Sequence, residues 1–194
     1  MNHTHHRGLA TLRKGSSAIL TEFLRRPKKY ESITGYLLED SPECLLVELF
    51  NWDCFLWNGK CIVWKETLAN VRPFDDSAWP TIAARNLHLL HSVKSRKSTE
   101  PLESFLKRHL QHGEIVLLEQ ERFWRDELFL CEILSVDGQS LGVRSYDSTL
   151  RKVDEVVIQY SRITKITFGD RYSLAARSAL ETMRQKRSGH SLRP

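Results

Sequence analysis

The chain is poor in the features that usually announce chemistry. Its nine glycines are scattered over 194 residues, so no glycine-rich loop of the kind that cradles phosphate occurs. Four cysteines (Cys44, Cys54, Cys61 and Cys131) lie inside or beside apolar runs with no paired spacing. That pattern reads as buried, reduced thiols in a cytoplasmic protein rather than as a disulfide framework. No run of about eighteen apolar residues exists, so no segment reads as a membrane span. The opening Met1-Asn2-His3-Thr4-His5-His6-Arg7 is polar and lacks the apolar stretch of a signal peptide.

Catalytic constellations are missing as well. Ser17, Ser104 and Ser145 have no neighbouring histidine with an acid behind it, and Asp75-Asp76 and Asp154-Glu155 read as solvated turns. His88 and His91, and likewise His109 and His112, stand three apart, the spacing of neighbours on a helix face that can chelate a metal. Neither pair carries the glutamate of His-Glu-x-x-His, so surface and capping roles are the simpler reading. A copper or nickel site at Met1-Asn2-His3 would be an accident of the terminus. The reading is therefore no enzyme, no cofactor, no metal and no small-molecule substrate, with a metal-dependent enzyme as the distant alternative.

Charge is present but unevenly placed. The net charge of +5 conceals two ends that hold 12 of the 29 basic residues and only 2 of the 24 acidic ones, outside residues 30–173. The middle is therefore net acidic, which argues against it as a general nucleic-acid surface and directs anion contacts to the termini. Arg25, Arg26, Lys28 and Lys29 cluster at one end, and Arg184, Lys186, Arg187 and Arg193 at the other. Phosphate contacts need only such charges and give salt-dependent binding.

Alternating apolar positions dominate the region from Gly113 to Tyr172, as in Val156, Ile158 and Tyr160 and in Thr164, Ile166 and Phe168, which is the period of pleated strands. Asp137-Gly138 supplies a hairpin turn between two such runs. An earlier stretch echoes this one. Leu20–Arg26 resembles Leu102–Arg108 at an offset of 82, Leu37–Asp40 resembles Leu117–Gln120 at 80, and Asn58-Gly59 matches Asp137-Gly138 at 79. Leu68–Val71 fits Ile163–Ile166 at 95, which implies about sixteen extra residues in the second copy, roughly Tyr146 to Tyr160. A register matching Asp53 with Asp137 is also open, so the duplication is firmer than any one pairing.

The expected order is a helix from Ser16 or Ser17 carrying Ile19, Leu20, Phe23 and Leu24, stopped by Pro27, then strands from Ile33 to Phe74. Asn58-Gly59 turns a hairpin flanked by Trp57 and Trp64, and Pro73 puts the last strand at an edge. Residues 80–99 form a linker, with a short helix opened by Pro80 and an exposed basic stretch through Lys94, Arg96 and Lys97. A second helix starts at Pro101 and ends near Gly113, and a C-terminal helix runs from Ser173 to about Arg187. The domains are thus 16–79, 100–172 and a tail at 173–194.

Each copy, with its lead-in helix and short strands around an Asx-Gly turn, and with Tyr160-Ser161-Arg162-Ile163-Thr164-Lys165-Ile166 before the last strand of the second, resembles the Sm-like, SH3-type barrels, particularly bacterial Sm-like domains of uncharacterised role. The resemblance covers Ile33–Asp76 and Glu114–Tyr172 and implies a mainly β, α+β protein: two small barrels from an internal duplication plus a C-terminal helix. It also implies RNA-contact loops near Asp53 and Asp137. Thr67-Leu68 and Ser161-Arg162, however, stand where the RNA-binding members carry an Arg-Gly pair. The leading expectation is a cytoplasmic interaction or scaffold module that binds a protein partner or self-associates through open barrel edges, with Trp52, Trp57, Trp64 and Trp124 as partner-binding residues. The alternative is RNA binding through the basic termini, by Arg25, Arg26, Lys28, Lys29, Arg184, Lys186 and Arg187.

Overall fold

The structure, a computed structural model, describes residues 20–26, 31–51, 53–74, 79–86, 93–120 and 128–190, without the side chains of residues 79, 80, 86 and 187–190. The protein is mainly β with a C-terminal helix, and it divides into two units, Met1–Leu102 and Glu103–Pro194.

In the first unit, β1 (Thr21–Arg25) lies between β2 (Ile33–Asp40) and β5 (Leu68–Pro73), and β3 (Cys44–Asn51) and β4 (Leu56–Trp64) continue the sheet beyond β2, giving the order β4-β3-β2-β1-β5. The expected helix over residues 16–26 is overturned where it is described. Leu20, Phe23 and Leu24 have helical spacing, but a short apolar run is ambiguous, and here Thr21 and Phe23 face one way and Leu20 the other. Pairing on both edges, with β2 and with β5, decides in favour of the strand. Phe23, Ile33, Leu37, Leu45, Val47, Cys61, Val63, Leu68 and Val71 form the core on one face. On the other face Leu20, Tyr36 and Phe50 pack with Phe55, Trp57 and Phe74 beneath Ala84 of α1 (Trp79–Asn86).

In the second unit, α2 (Leu102–His109) precedes β7 (Ile115–Glu119), β8 (Leu128–Asp137), β9 (Ser140–Tyr146), β10 (Lys152–Gln159) and β11 (Lys165–Phe168), and α3 (Arg171–His190) follows. The order is β10-β9-β8-β7-β11. One face buries Val116, Leu118, Cys131, Ile133, Leu141, Val143 and Ile166. The other face sets Ile115, Leu117, Leu130, Tyr146 and Leu150 against Ala176 and Leu180 of α3. Gly113, at φ +80, ends the turn after α2 as a glycine there should.

The two units share a wiring and a register. Phe23 pairs with Val71 as Leu118 pairs with Ile166, an offset of 95 at both positions. Leu37 pairs with Val47 as Ile133 pairs with Val143, an offset of 96, and a bulge follows immediately in both ladders. Leu46 meets Ile62 as Gly142 meets Val157. A 3-10 turn precedes the last strand in each, Lys65–Thr67 and Tyr160–Arg162, again 95 apart.

This register corrects the offsets near 80. Leu20–Arg26 is mostly strand while Leu102–Arg108 lies in a helix, and the supposed insertion at Tyr146–Tyr160 contains β10, the positional counterpart of β4. Asn58-Gly59 is not a hairpin tip. Both residues stand opposite Leu49 alone, a bulge with Gly59 at φ +76, and the chain turns at Asp53–Phe55 instead. Trp57 and Trp64 therefore belong to one strand and do not face each other across a turn. Neither five-stranded order closes on itself among the described residues, so open sheets replace the expected closed barrels.

The basic stretch of the expected linker is docked. Arg96–Lys97 forms β6, parallel to the end of β2, with the Ser98 amide donating to the Asp40 carbonyl at 2.9 Å and Arg96 reaching the buried Glu39 at 3.1 Å. No described helix is long and apolar enough to cross a membrane.

Candidate functional site

β10 is the most exposed of the long strands. Its sequence, Lys-Val-Asp-Glu-Val-Val-Ile-Gln, is rich in β-branched residues that favour a pleated strand. Among the described residues it pairs with β9 alone, and of its eight residues only Ile158 is buried. Val157 is 70% exposed, Val153 64% and Val156 39%. An edge of this kind presents a row of unpaired N–H and C=O groups beside apolar side chains, the arrangement that accepts an added strand. Asp154-Glu155 accordingly lies in a strand and not in a turn.

Behind this edge runs an ionic ladder. Glu132 on β8, Arg144 on β9 and Glu155 on β10 are directly opposite one another. Arg144 donates through Nη1 to Glu132 and through Nε to Glu155, both at 2.8 Å, and Lys152 Nζ reaches Glu155 at 2.8 Å. The Glu132 side chain is only 7% exposed, and its Oε2 also accepts from the Tyr146 hydroxyl at 2.6 Å and from Arg184 Nη2 of α3 at 2.7 Å. Burial pushes the Glu132 carboxyl up, but the hydrogen bonds from Tyr146, Arg184 and Arg144 outweigh it and hold the group below its ordinary value. Burial and the neighbouring carboxylate raise the Tyr146 phenol. These bonds tie β8, β9, β10 and α3 to one another through a single carboxylate and the guanidinium beside it.

The counterparts in the first unit are of another character. At the positions of Glu132, Tyr146 and Lys152 stand Tyr36, Phe50 and Trp57. Tyr36 and Trp57 stack at 5.0 Å and 21°, and Phe50 meets Trp57 edge-on at 4.9 Å. Trp57 is thus half-buried in an aromatic cluster, and Trp64, 4% exposed, belongs to the interior, which removes it from the surface expected of a partner-binding residue. Trp52 and Trp124 lie outside the described residues.

Arg25 is buried at the end of β1, Arg26 is exposed with its amide donating to the Thr67 carbonyl, and Arg184 is held by Glu132. Lys186 is exposed on α3, Arg187 lies in the same helix with its side chain outside the described residues, and Lys28, Lys29 and Arg193 lie outside them altogether. His109 ends α2 with its ring edge-on to Phe105, while His112 sits beyond the helix in a turn, so the two do not share a helix face. His88, His91 and Met1–His3 are outside the described residues. Among the described residues no group of three or more His, Cys, Asp and Glu side chains is disposed to hold a metal.

The alternation of Val156 and Ile158 marks β10 as a strand in the sequence, but the repeat offsets place it in extra residues of the second copy and not opposite β4. Comparison with family models, with curated proteins and with solved structures finds no match for this chain.

Proposed function

We propose that the chain is a non-enzymatic interaction module of the cytoplasm, built from two related units of Sm-like, SH3-type descent that arose by internal duplication. The second unit takes up an extended segment of a protein partner along β10. The observation that carries this reading is an eight-residue edge strand with three solvent-exposed valines and no second neighbour among the described residues. Main-chain hydrogen bonds would supply affinity, and the alternate side chains of β10 the selectivity. The common register at offsets of 95 and 96 and the matching 3-10 turns support shared descent. The cysteines, all free and three of them buried, suit a reducing compartment.

The experiment is affinity capture from native cells with the wild-type chain and with Val153→Lys/Val157→Lys, both shown to be folded by circular dichroism. Proteins retained by the wild type and lost with the double variant are expected. Capture that is identical for the two chains would refute the β10 reading.

A further inference from the structure

The edge itself carries information about what pairs with it. We infer that β10 pairs with β10 of a second copy of this chain, antiparallel and centred on Val157. The inference rests on the edge-strand reading and adds an occupant and a register to it.

Two copies related by a two-fold axis perpendicular to a shared sheet keep their core faces on one side, so opposed residues come from the same face and the axis passes through a residue. Centring on Asp154 or on Glu155 would set identical carboxylates directly opposite each other, which is destabilising. Centring on Val156 would set Glu155 against Val157 and Asp154 against Ile158, so that each acid faces an apolar side chain. Centring on Val157 removes every such conflict. Val157 meets its own copy, Val156 meets Ile158, and Glu155 meets Gln159. Centring on Ile158 leaves Val157 against Gln159 and shortens the paired run.

The exposure pattern agrees with that register. Val157 is the most exposed large hydrophobic residue described, and it sits on the axis. Val156, half exposed beside the buried Ile158, would be covered by the partner's Ile158, which extends the core face across the join. Glu155 already engages Arg144 and Lys152, so opposite it the amide of Gln159 introduces no second charge.

The test is disulfide trapping in a Cys54→Ser background, because Cys54 is the exposed native thiol. Opposed residues of an antiparallel pair have Cα atoms about 4.5 to 5.5 Å apart, within disulfide reach. Val157→Cys, oxidised with oxidised glutathione, should give a covalent dimer on non-reducing gels. Val153→Cys should remain monomeric at the same concentration. In this register its two copies lie eight residues apart along the joined strands, about 27 Å at roughly 3.3 to 3.4 Å per residue. No dimer from Val157→Cys, or equal dimer from Val153→Cys, overturns the inference. If trapping fails while Val153→Lys/Val157→Lys still abolishes capture of another protein, the self-pairing falls and the edge-strand reading stands. If both fail, β10 is not the interaction surface.

Discussion

A carboxylate as secluded as that of Glu132 persists as an anion because three donors converge on one of its oxygens. Glu132→Gln keeps the shape but removes the charge, and it should lower unfolding stability by about 1.5 to 3 kcal/mol in urea titration, the range for hydrogen bonds to charged groups. The pH dependence has a definite sign. A carboxyl held below its ordinary 4.5 stabilises the folded chain above that pH, and the contribution disappears as pH falls from about 4.5 through the lowered value. Melting temperature followed over that interval should fall more steeply for the wild type than for Glu132→Gln. Gly35 marks a second residue-scale constraint. A Cβ there would lie 2.0 Å from the Glu48 carbonyl oxygen and 2.8 Å from the Val47 side chain. Gly35→Ala must push β2 off β3, and it should cost about 3 kcal/mol, at the upper end of ordinary overpacking, as measured by the urea midpoint. The sequence gives no sign of either constraint. Glu132 appears as an isolated acid in an apolar run, and the guanidinium of Arg184 is 52 positions away.

At the scale of elements, strands with clean alternation were legible and short ambiguous runs were not. Of the residues whose period reads as strand, Val156, Ile158, Ile166 and Phe168 lie in β10 and β11, while Tyr160 opens the 3-10 turn and Thr164 stands just before β11. Leu20–Leu24 failed because its helical spacing is coincidental and its two flanking strands come from residues 33–35 and 68–73, pairings that local pattern cannot reveal. The C-terminal helix was legible from the spacing of Leu174, Ala176, Ala179, Leu180 and Met183; Ala176 and Leu180 are buried against the sheet, whereas Leu174 is 54% exposed. That helix covers the outer layer of the second sheet through few buried side chains, so Leu180→Ala should cost about 3 kcal/mol and open Ile115 and Leu130 to a hydrophobic dye. The 96–97 strand was invisible in sequence because two exposed basic residues look like linker. Its partner is the rim of β2, where Arg96 supplies a cation to the buried Glu39. In Arg96→Ala, amide exchange at Ser98, which donates to the Asp40 carbonyl, is expected to accelerate, with little change elsewhere in β2.

For the molecule as a whole, the sequence matches point to two similar halves, and the structure gives those halves equal wiring in a different alignment. The match of Leu68–Val71 to Ile163–Ile166 had the right spacing, because these residues enter the last strand behind a 3-10 turn that both units preserve. The other matches joined strand to helix, turn to bulge, or β2 to β7 where its counterpart is β8, since a handful of leucines and acids recurs by chance in any β-rich chain. Equal wiring with unequal outer layers leads to a prediction at this scale. Acidification through the lowered Glu132 value should loosen β8, β9 and α3 first, while the layer held by the stacked rings of Tyr36, Phe50 and Trp57 keeps its amides protected. Exchange read by mass spectrometry at matched intrinsic rates would separate the two.

The contrast between those layers also limits how the halves can be made alike. Placing tyrosine at 132 alone would remove the counterion that Arg144 and Arg184 share, leaving Arg144 with Glu155, and placing glutamate at 36 alone would put an anion among Phe50, Trp57 and Leu20. An engineer who wished to transplant one layer onto the other scaffold would have to exchange the whole set in one step, including the helix that roofs it, because a halfway chimera either removes the acid on which two guanidinium groups converge or sets one among aromatic rings.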